Sequence, residues 1–561
     1  MKVSEAVASA VATEAGSAPI FSLIGDANLP IVGAIDRDTD ATQWFARDEG
    51  AAVAMADGYS QSSDNLGIAT VTSGPGLTHT ATSLLAASRT RSSLVVVAGD
   101  TSMRRPAGLQ EMQSFDQRRF VESCEAEFVG LRSPLSVEDD VAAAFHHARS
   151  DHTPLVLSVP LDLQAMDVPD GWTYCPSTTG KPRMPPPLGE ADARHILDAI
   201  GKAQRPLVIA GRGAARSDAR DDLCAFAQKI GALLGTTLFG KGLFDEEPWN
   251  VGVIGGFSNP AIQDVIRDAD LVIAFGAELG HFTTQAGSLL QGRQVIRIDH
   301  EPLKTFVPRH ELSIVRADAR AAAAALCTAL ANSTDLTGFR TDDIRKRMTA
   351  PWTLGGPEPQ GDLIDPRQLM CDLGEALPTG SKFAIGGGHF WSFPCIYMKQ
   401  PPGARFLCPL GAAAVGQVLP FGIGVAAARP ESPTLIIEGD GSLLMNIQEL
   451  DTAARHKLPI VLLVMNDGAL TAEALKLRLD GYDPGLAMYP SPDFATIARG
   501  FGWKAVTIDR KDSIRNILTS HSWKDGPMLI DARISREVVI DPVSVKDLSY
   551  RARAKGSSLQ S

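Results

Sequence analysis

Aromatic residues are scarce in this chain, 6% of 561, which excludes an aromatic-rich β-sandwich as its main architecture. The 7 cysteines are scattered, with no CxxC pair. That spacing excludes a disulfide framework and the usual zinc motifs, and it reads as reduced thiols in a cytosolic protein. No run of about 18 apolar residues occurs, so no membrane-spanning helix is expected. Positive charge is also short: 53 Lys and Arg against 65 Asp and Glu give a net charge of -12. A general nucleic-acid or anionic-membrane surface needs clustered positive charge, so neither partner is expected. The first residues, MKVSEAVASAVATEAG, carry Glu5 and Glu14 and lack a long apolar core. They read as an amphipathic helix rather than a signal peptide, and the expected location is the cytoplasm.

What the chain does hold is a large core and many turns: 44% hydrophobic residues, 51 glycines and only 21% charged residues. At roughly 150 residues per domain, its length suggests three or four domains. Two Pro-rich stretches without apolar periodicity, Cys175–Pro187 and Pro351–Gln360, read as linkers. The expected domains are therefore 1–174, 188–350 and 361–545, followed by a tail over 546–561. Each segment alternates short β-branched runs (SLVVVAG, PLVIAG, LVIAFG, TLIIEG, IVLLVMN) with Ala/Leu-rich helical patterns. This is the pattern of parallel βαβ units. The expected fold class is α/β, with three doubly wound parallel-sheet domains.

The strongest chemical signal lies in the third segment. Thr434–Glu438 reads as a buried strand, and Gly439-Asp440-Gly441-Ser442 as a tight turn. Leu443, Ile447, Leu450 and Ala454 then recur at the spacing of one helix ended by Pro459. Ile460–Met465 reads as the next strand, closed by Asn466-Asp467-Gly468. A right-handed crossover puts both strands in one sheet with their carboxyl ends on one edge, where open α/β sheets bind ligands. Asp440 and Asp467 at that edge, beside exposed amides, suit a divalent ion bridging to a diphosphate. The glycines allow close backbone approach, and Ser442 can donate from its hydroxyl. Standing alone, GDGS reads more readily as a capped turn than as a ligand site; the paired strand ends reverse that preference.

GDGS followed by Asn466-Asp467 resembles the metal–diphosphate motif of thiamine-diphosphate enzymes, in which the closing pair is usually Asn-Asn. The resemblance implies Mg²⁺ held by the side chains of Asp440 and Asp467 and by the carbonyl of Ala469, with Gly439, Gly441 and Ser442 at the diphosphate. In the first segment, RDEGAAVAMADGYSQ and LGIATVTSGPGLTHTATSLLAASRTRSSLVVVAGD resemble the pyrimidine-binding domain of the acetolactate-synthase branch. Glu49 then falls on the activating glutamate, whose carboxyl group bonds N1′ of the aminopyrimidine and must exchange protons near neutral pH. Gly74 and Gly76, in SGPG, fall on a cofactor-facing turn. Gln110 falls on a glutamine near the reacting carbon in acetolactate synthases and benzaldehyde lyase. GAAAVGQVLPFGIGVAAARP resembles the stretch that holds the cofactor bent, with Val415 between its two rings and the Ala413 carbonyl on the 4′-amino group. GGGH resembles a diphosphate loop, with Gly388 in place of a commoner Gln and His389 beside it. The central segment resembles a domain that in some members binds FAD structurally; Gly211-Arg212-Gly213 is too short a motif to specify FAD here. His281, after a strand end, could reach the site or sit on a surface loop, and the pair His146-His147 lacks metal-ligand spacing.

Taken together, the resemblance implies a thiamine-diphosphate- and Mg²⁺-dependent C–C lyase or carboligase. It would act on 2-oxo acids or 2-hydroxyketones through a C2 ylid and an enamine. The implied assembly is a homodimer or homotetramer with active sites between chains. Alternatives are a true acetolactate synthase or a simple 2-oxo acid decarboxylase. Ser123 and Lys476 stand where acetolactate synthases carry a lysine and an acceptor-pocket tryptophan, and Thr72 near where benzoylformate decarboxylase-type enzymes carry a histidine. A nicotinamide oxidoreductase would need GxGxxG after a strand, of which GRGAARSD supplies two glycines. A non-catalytic relative would be expected to lack Glu49 or Asp440, and both are present.

Overall fold

The computed structural model describes residues 1–63, 65–104, 112–179, 186–259, 262–300, 311–332, 335–349, 357–401, 404–510 and 512–540. Gln110, parts of both linkers and the 546–561 tail lie outside the described residues. Among the described residues, no helix is long and apolar enough to cross a membrane.

The strands form three six-stranded sheets in which every pairing is parallel. The first contains β1 (Ile20–Ser22), β2 (Gln43–Phe45), β3 (Gly67–Val71), β4 (Leu94–Asp100), β5 (Glu127–Gly130) and β6 (Pro154–Pro160), in the order β2-β1-β3-β4-β6-β5. The central sheet contains β7 (Pro206–Ala210), β8 (Leu233–Thr236), β9 (Asn250–Val253), β10 (Leu271–Phe275), β11 (Gln294–Asp299) and β12 (Leu312–Arg316). Its order is β12-β11-β10-β7-β8-β9. The last contains β13 (Lys382–Ile385), β14 (Phe406–Leu407), β15 (Thr434–Gly439), β16 (Ile460–Asn466), β17 (Lys504–Ile508) and β18 (Met528–Arg533), in the order β14-β13-β15-β16-β18-β17. The first and last sheets thus share one topology. Their inner strands are buried on both faces, which is why they read as unbroken Val/Ile/Leu runs rather than alternating ones.

Strand order reverses between β1 and β3 in the first sheet and between β13 and β15 in the last, and a crevice opens at each reversal. The central sheet reverses between β7 and β10, where the loops after those two strands pack backbone against backbone. A Cβ on Gly211 would stand 2.2 Å from the Gly276 carbonyl, and one on Gly213 would stand 2.7 Å from the Gly276 Cα. The Arg212 guanidinium leaves the sheet altogether. It donates to the Thr90 carbonyl of the first domain and stacks over the Phe239 ring at 4.0 Å.

The first and last domains meet through the helices Glu49–Ser63 and Val418–Ala428. Small residues let the backbones touch: a Cβ on Gly58 would stand 1.9 Å from the Phe421 carbonyl oxygen, and one on Gly424 would stand 1.8 Å from that of Met55. One hydrophobic core runs through this contact, from Met55 and Tyr59 to Phe421, Val425 and Leu462.

Candidate functional site

Strands β15 and β16 are direct neighbours, with Gly439 opposite Met465. Their carboxyl ends therefore deliver Asp440 and Asp467 to one place beside the β13/β15 reversal. Asp440 opens the short helix Asp440–Leu443, is 2% exposed, and accepts hydrogen bonds on Oδ2 from the Gly468 amide (2.9 Å) and the Ser491 hydroxyl (3.1 Å). Asp467 accepts from the Ala469 amide at 3.2 Å and from the Thr471 hydroxyl. Burial raises the proton affinity of Asp440 despite those donors. Burial pushes Asp467 up to about 6, with the neighbouring Asp440 charge adding to the effect and Arg536 opposing it. The Ala469 carbonyl accepts no hydrogen bond among the described residues. Two crowded carboxylates and an open carbonyl form a hard oxygen set, and a divalent cation would relieve the repulsion between them. These residues fit Mg²⁺.

One expectation needs correction. The apolar spacing from Leu443 to Ala454 implied a single helix; the structure has two short ones, Asp440–Leu443 and Glu449–Arg455. Side-chain bonding breaks the helix. Ser442 donates to Glu438 Oε1 (2.6 Å) and accepts the Gly416 amide (2.7 Å), while Asn446 donates to the Gly416 carbonyl (2.6 Å). The hydroxyl hydrogen of Ser442 is thus directed at Glu438. Glu438 is fully buried and pushed up to about 8 by desolvation. These bonds pin the loop that carries Ala413 and Val415. Ala413 has a left-handed φ of 53°, uncommon for a residue with a Cβ, and Val415 keeps 37% of its surface exposed.

On the other side of the reversal, the Gly386–Gly388 loop follows β13. Phe390 fills the space between that loop and β15: a Cβ on Gly388 or Gly439 would stand 2.9 or 2.8 Å from its ring. His389 accepts the Ile540 amide on Nε2 at 3.3 Å, and burial lowers its imidazole to about 4, leaving it neutral.

The second cluster sits at the β1/β3 reversal. Glu49 is the first residue of the helix Glu49–Ser63, and Asp48 caps that helix by accepting the Ala51 amide at 3.0 Å. Glu49 Oε2 lies 3.4 Å from His79 Nδ1. Its Oε1 faces Gly76, whose added Cβ would stand 3.4 Å from it and 2.5 Å from Thr72 Cγ2. Gly74 turns the chain out of β3 with φ 59°, a conformation that suits glycine. Asp48, Glu49 and His79 form the one cluster of three possible metal ligands among the described residues, but Asp48 Oδ1 is already committed to the helix cap.

Within one chain, no hydrogen bond or ion pair among the described residues joins Glu49 to Asp440. The link between their domains runs alongside. Glu449 accepts the Arg47 amide at 2.9 Å, Arg47 pairs with Asp451 at 2.7 Å, and Trp44 stacks on His456 at 4.0 Å. Of the remaining expected positions, His281 is 8% exposed and starts a short helix. His147 faces Asp151 at 3.2 Å, and Lys476 pairs with Glu473 at 2.7 Å. Ser123 donates to the Phe120 carbonyl at 2.6 Å.

Sequence reasoning missed Ser491, Tyr489, Thr471 and Arg536. Thr471 stands four residues past Asp467 at a helix start, a recognisable spacing. The other three come from distant loops with no periodic signal. Arg536 donates to the Asp467 carbonyl, which places a guanidinium beside the acidic pair.

Three family descriptions match the chain in order. "Thiamine pyrophosphate enzyme, N-terminal TPP binding domain" covers residues 1–120, the central domain of the same family covers 193–326, and its C-terminal TPP binding domain covers 384–532. Full-length relatives agree. Acetolactate synthase 1, chloroplastic, of Oryza sativa subsp. japonica is 26% identical over 94% of this chain and 84% of its own length. The acetolactate synthase large subunit of Corynebacterium glutamicum is 26% identical over 95% and 87%. The probable acetolactate synthase large subunit of Methanocaldococcus jannaschii is 27% identical over 97% and 92%.

Proposed function

The chain belongs to the thiamine pyrophosphate enzyme family, in its acetolactate synthase-like branch, and from that premise we propose a Mg²⁺-dependent C–C lyase or carboligase acting on 2-oxo acids or 2-hydroxyketones. The observation that carries this reading is the pairing of Asp440 and Asp467 across adjacent strand ends, with the Ala469 carbonyl open beside them. Thiamine diphosphate, when bound, supplies an azolium carbon that adds to a carbonyl and takes up the electrons of the breaking C–C bond. Everything else falls to the protein.

In this reading Asp440, Asp467 and the Ala469 carbonyl would hold Mg²⁺, whose charge would offset that of the diphosphate. Gly439, Gly441 and the Ser442 backbone lie against the phosphates, with His389 on the neighbouring loop. Val415 and the Ala413 carbonyl would face the cofactor's two rings, as the resemblance implies. Glu49, set between Gly76 and His79, would hold or return a proton on its carboxyl group. Gln110 would orient a carbonyl or hydroxyl of the substrate. As the resemblance implies, each site would combine Glu49 of one copy with the Asp440 loop of another, in a homodimer or homotetramer. The central domain is pinned to the first by Arg212, and FAD, possible on the resemblance, has no specific motif there.

Substrate preference is inferred from Val415 and from the two positions where this sequence departs from the acetolactate synthases it resembles. Val415 is small and accessible, Lys476 is paired with Glu473, and Ser123 carries no charge. We expect weak acetolactate formation and better turnover of larger or aromatic 2-oxo acids or benzoin-type ketones. One extra pocket methylene is worth only about 1–3 kcal/mol, so the preference should be graded. The test compares kcat/KM across such a panel with thiamine diphosphate and Mg²⁺, with products identified by mass spectrometry. Pyruvate as best donor, with acetolactate as main product, would restore the plain acetolactate synthase reading.

A further inference from the structure

All three domains meet at the carboxyl end of the helix Ala81–Thr90. A helix cannot satisfy its own last carbonyls. Here the central domain takes up two carbonyls at that end: Arg212 donates to Thr90, and Arg216 donates to Arg91 at 3.0 Å. The two arginines stand four residues apart on the short helix Arg212–Arg216 that follows β7, so they share one face. Cations at a helix carboxyl end also complement the helix dipole. Two further contacts steady them. Arg212 lies over the Phe239 ring, and the buried carboxylate of Asp57, bonded by Ser92 and by Gln61 (2.8 Å), supplies the opposite charge nearby.

The same helix end carries part of the last domain. A Cβ on Gly411 would stand 2.4 Å from the Ala86 carbonyl oxygen and 3.0 Å from side-chain carbons of Arg89 and Thr90. The turn Leu410–Ala412 therefore lies directly on the helix's last turn. Two turns back along the helix, the Ser83 hydroxyl is 2.6 Å from Gln417 Oε1 and 2.7 Å from the carbonyl of Gly50, the residue after Glu49. The stretch from Gly411 to Gln417, which includes Ala413 and Val415, thus runs along this helix from its end toward its start. Ser442 and Asn446 hold that stretch at Gly416, and the helix end supports it at Gly411.

We propose that Arg212, with Arg216 beside it, is a positioning residue for the loop that carries Ala413 and Val415, acting through the last turn of the helix Ala81–Thr90. The proposal rests on the cofactor reading above, in which that loop meets the thiamine half of the cofactor and the Asp440 loop meets the diphosphate half. It gives the central domain a part in cofactor binding that needs no ligand of its own. Loss of the guanidinium frees the Thr90 carbonyl, loosens the helix end and lets the turn at Gly411 shift, while the acidic pair keeps its partners.

The experiment uses the full chain with Arg212→Met, Arg216→Met and Gly411→Ala, the last of which lifts the turn directly. Affinities for thiamine diphosphate and for inorganic pyrophosphate are measured by calorimetry at saturating Mg²⁺, below the ligand-free Tm of each variant. A residue that acts on a ligand only through intervening contacts shifts binding by about two- to thirtyfold. Arg212→Met and Gly411→Ala should each weaken thiamine diphosphate within that range and leave pyrophosphate unchanged, with a smaller effect of the same kind in Arg216→Met. Equal weakening of both ligands by Arg212→Met would mean general loosening of the chain and overturn the proposal. So would unchanged thiamine diphosphate affinity in Arg212→Met, whether or not Gly411→Ala weakens it, since the helix end would then hold the loop without the central domain. If Arg212→Met does not fold, Arg216→Met decides by the same comparison. If the wild-type chain binds neither ligand, the underlying cofactor reading fails instead.

Discussion

Glu449 accepts a hydrogen bond from the Arg47 amide at 2.9 Å, tying the last domain to the residue that stands two positions before Glu49. The carboxyl is fully buried, bonded also by Thr452 at 2.7 Å. Desolvation pushes it up to about 7, with the Asp48 charge adding and the Arg455 charge opposing. A raised carboxyl binds its proton more tightly in the folded state. Its stabilisation is complete below the unfolded value of 4.5 and is lost as pH rises through about 7. The full span corresponds to about 3 kcal/mol at most. Glu449→Gln keeps an acceptor for Arg47 and removes the titration. Thermal unfolding between pH 5 and 8 should show a flatter Tm profile for the variant, with the variant the more stable at pH 8. Identical slopes would mean that Glu449 does not govern this interface.

The acidic pair yields a contrast between its two members. Asp440→Ala removes the better-buried ligand and should abolish Mg²⁺-dependent retention of thiamine diphosphate, a loss of at least about a hundredfold. Asp467→Asn keeps an acceptor for Ala469 and Thr471 and lowers the local charge, so it should retain the cofactor. Calorimetry in Mg²⁺ and in chelator checks both. Unchanged Mg²⁺-dependent affinity in Asp440→Ala would make the metal assignment wrong.

Glu49→Gln should bind the cofactor normally yet slow exchange of its C2 proton by about a hundredfold or more, since an amide cannot shuttle a proton. Quenched-exchange NMR reads this directly. Mixing Glu49→Gln with Asp440→Ala chains adds a test of assembly. If sites form between copies, a mixed dimer contains one intact pair, and activity should return where neither variant has it. Mixtures as inactive as their parts would argue against shared sites.

The sheets were legible because their strands are apolar on both faces and short, and β15 and β16 carried the site signal with them. The helix after Asp440 was not, because Leu443 and Leu450 are buried whether the segment is one helix or two. What breaks it is the bonding of Ser442 and Asn446 to Gly416, a loop far earlier in the chain, and periodicity cannot register such a partner. Tyr489 and Ser491 were hidden for a related reason. They reach Asp440 through a bridge between two irregular loops, where neither composition nor spacing marks a neighbour. The half-site at Glu49 was read from its motif, whereas its neighbour His79 emerges only once the turn after β3 brings it back over the helix start.

The contact between the helices Glu49–Ser63 and Val418–Ala428 makes the last prediction. Gly58 and Gly424 each sit where a methyl group would overlap a carbonyl oxygen of the facing helix, at 1.9 and 1.8 Å. Backbone cannot rotate aside as a flexible side chain can, so the helices must separate to admit the methyl. Overpacking of a dense core typically costs about 1–3 kcal/mol, and here it is added to lost contacts along Met55, Tyr59, Phe421 and Val425. Alanine is otherwise the better helix former by about 1 kcal/mol, so a position without the overlap would gain stability from the same change. Gly500, near the end of the helix Phe494–Gly500, has nothing within 4 Å of its added Cβ and serves as the control. Gly58→Ala and Gly424→Ala should each lower the Tm by several degrees, and Gly500→Ala should not. Because Glu49 begins the first of these helices and Val415 lies just before the second, the first two changes should also weaken thiamine diphosphate binding. Wild-type stability in Gly58→Ala and Gly424→Ala would show that the close approach of the two helices is not what holds the first and last domains together.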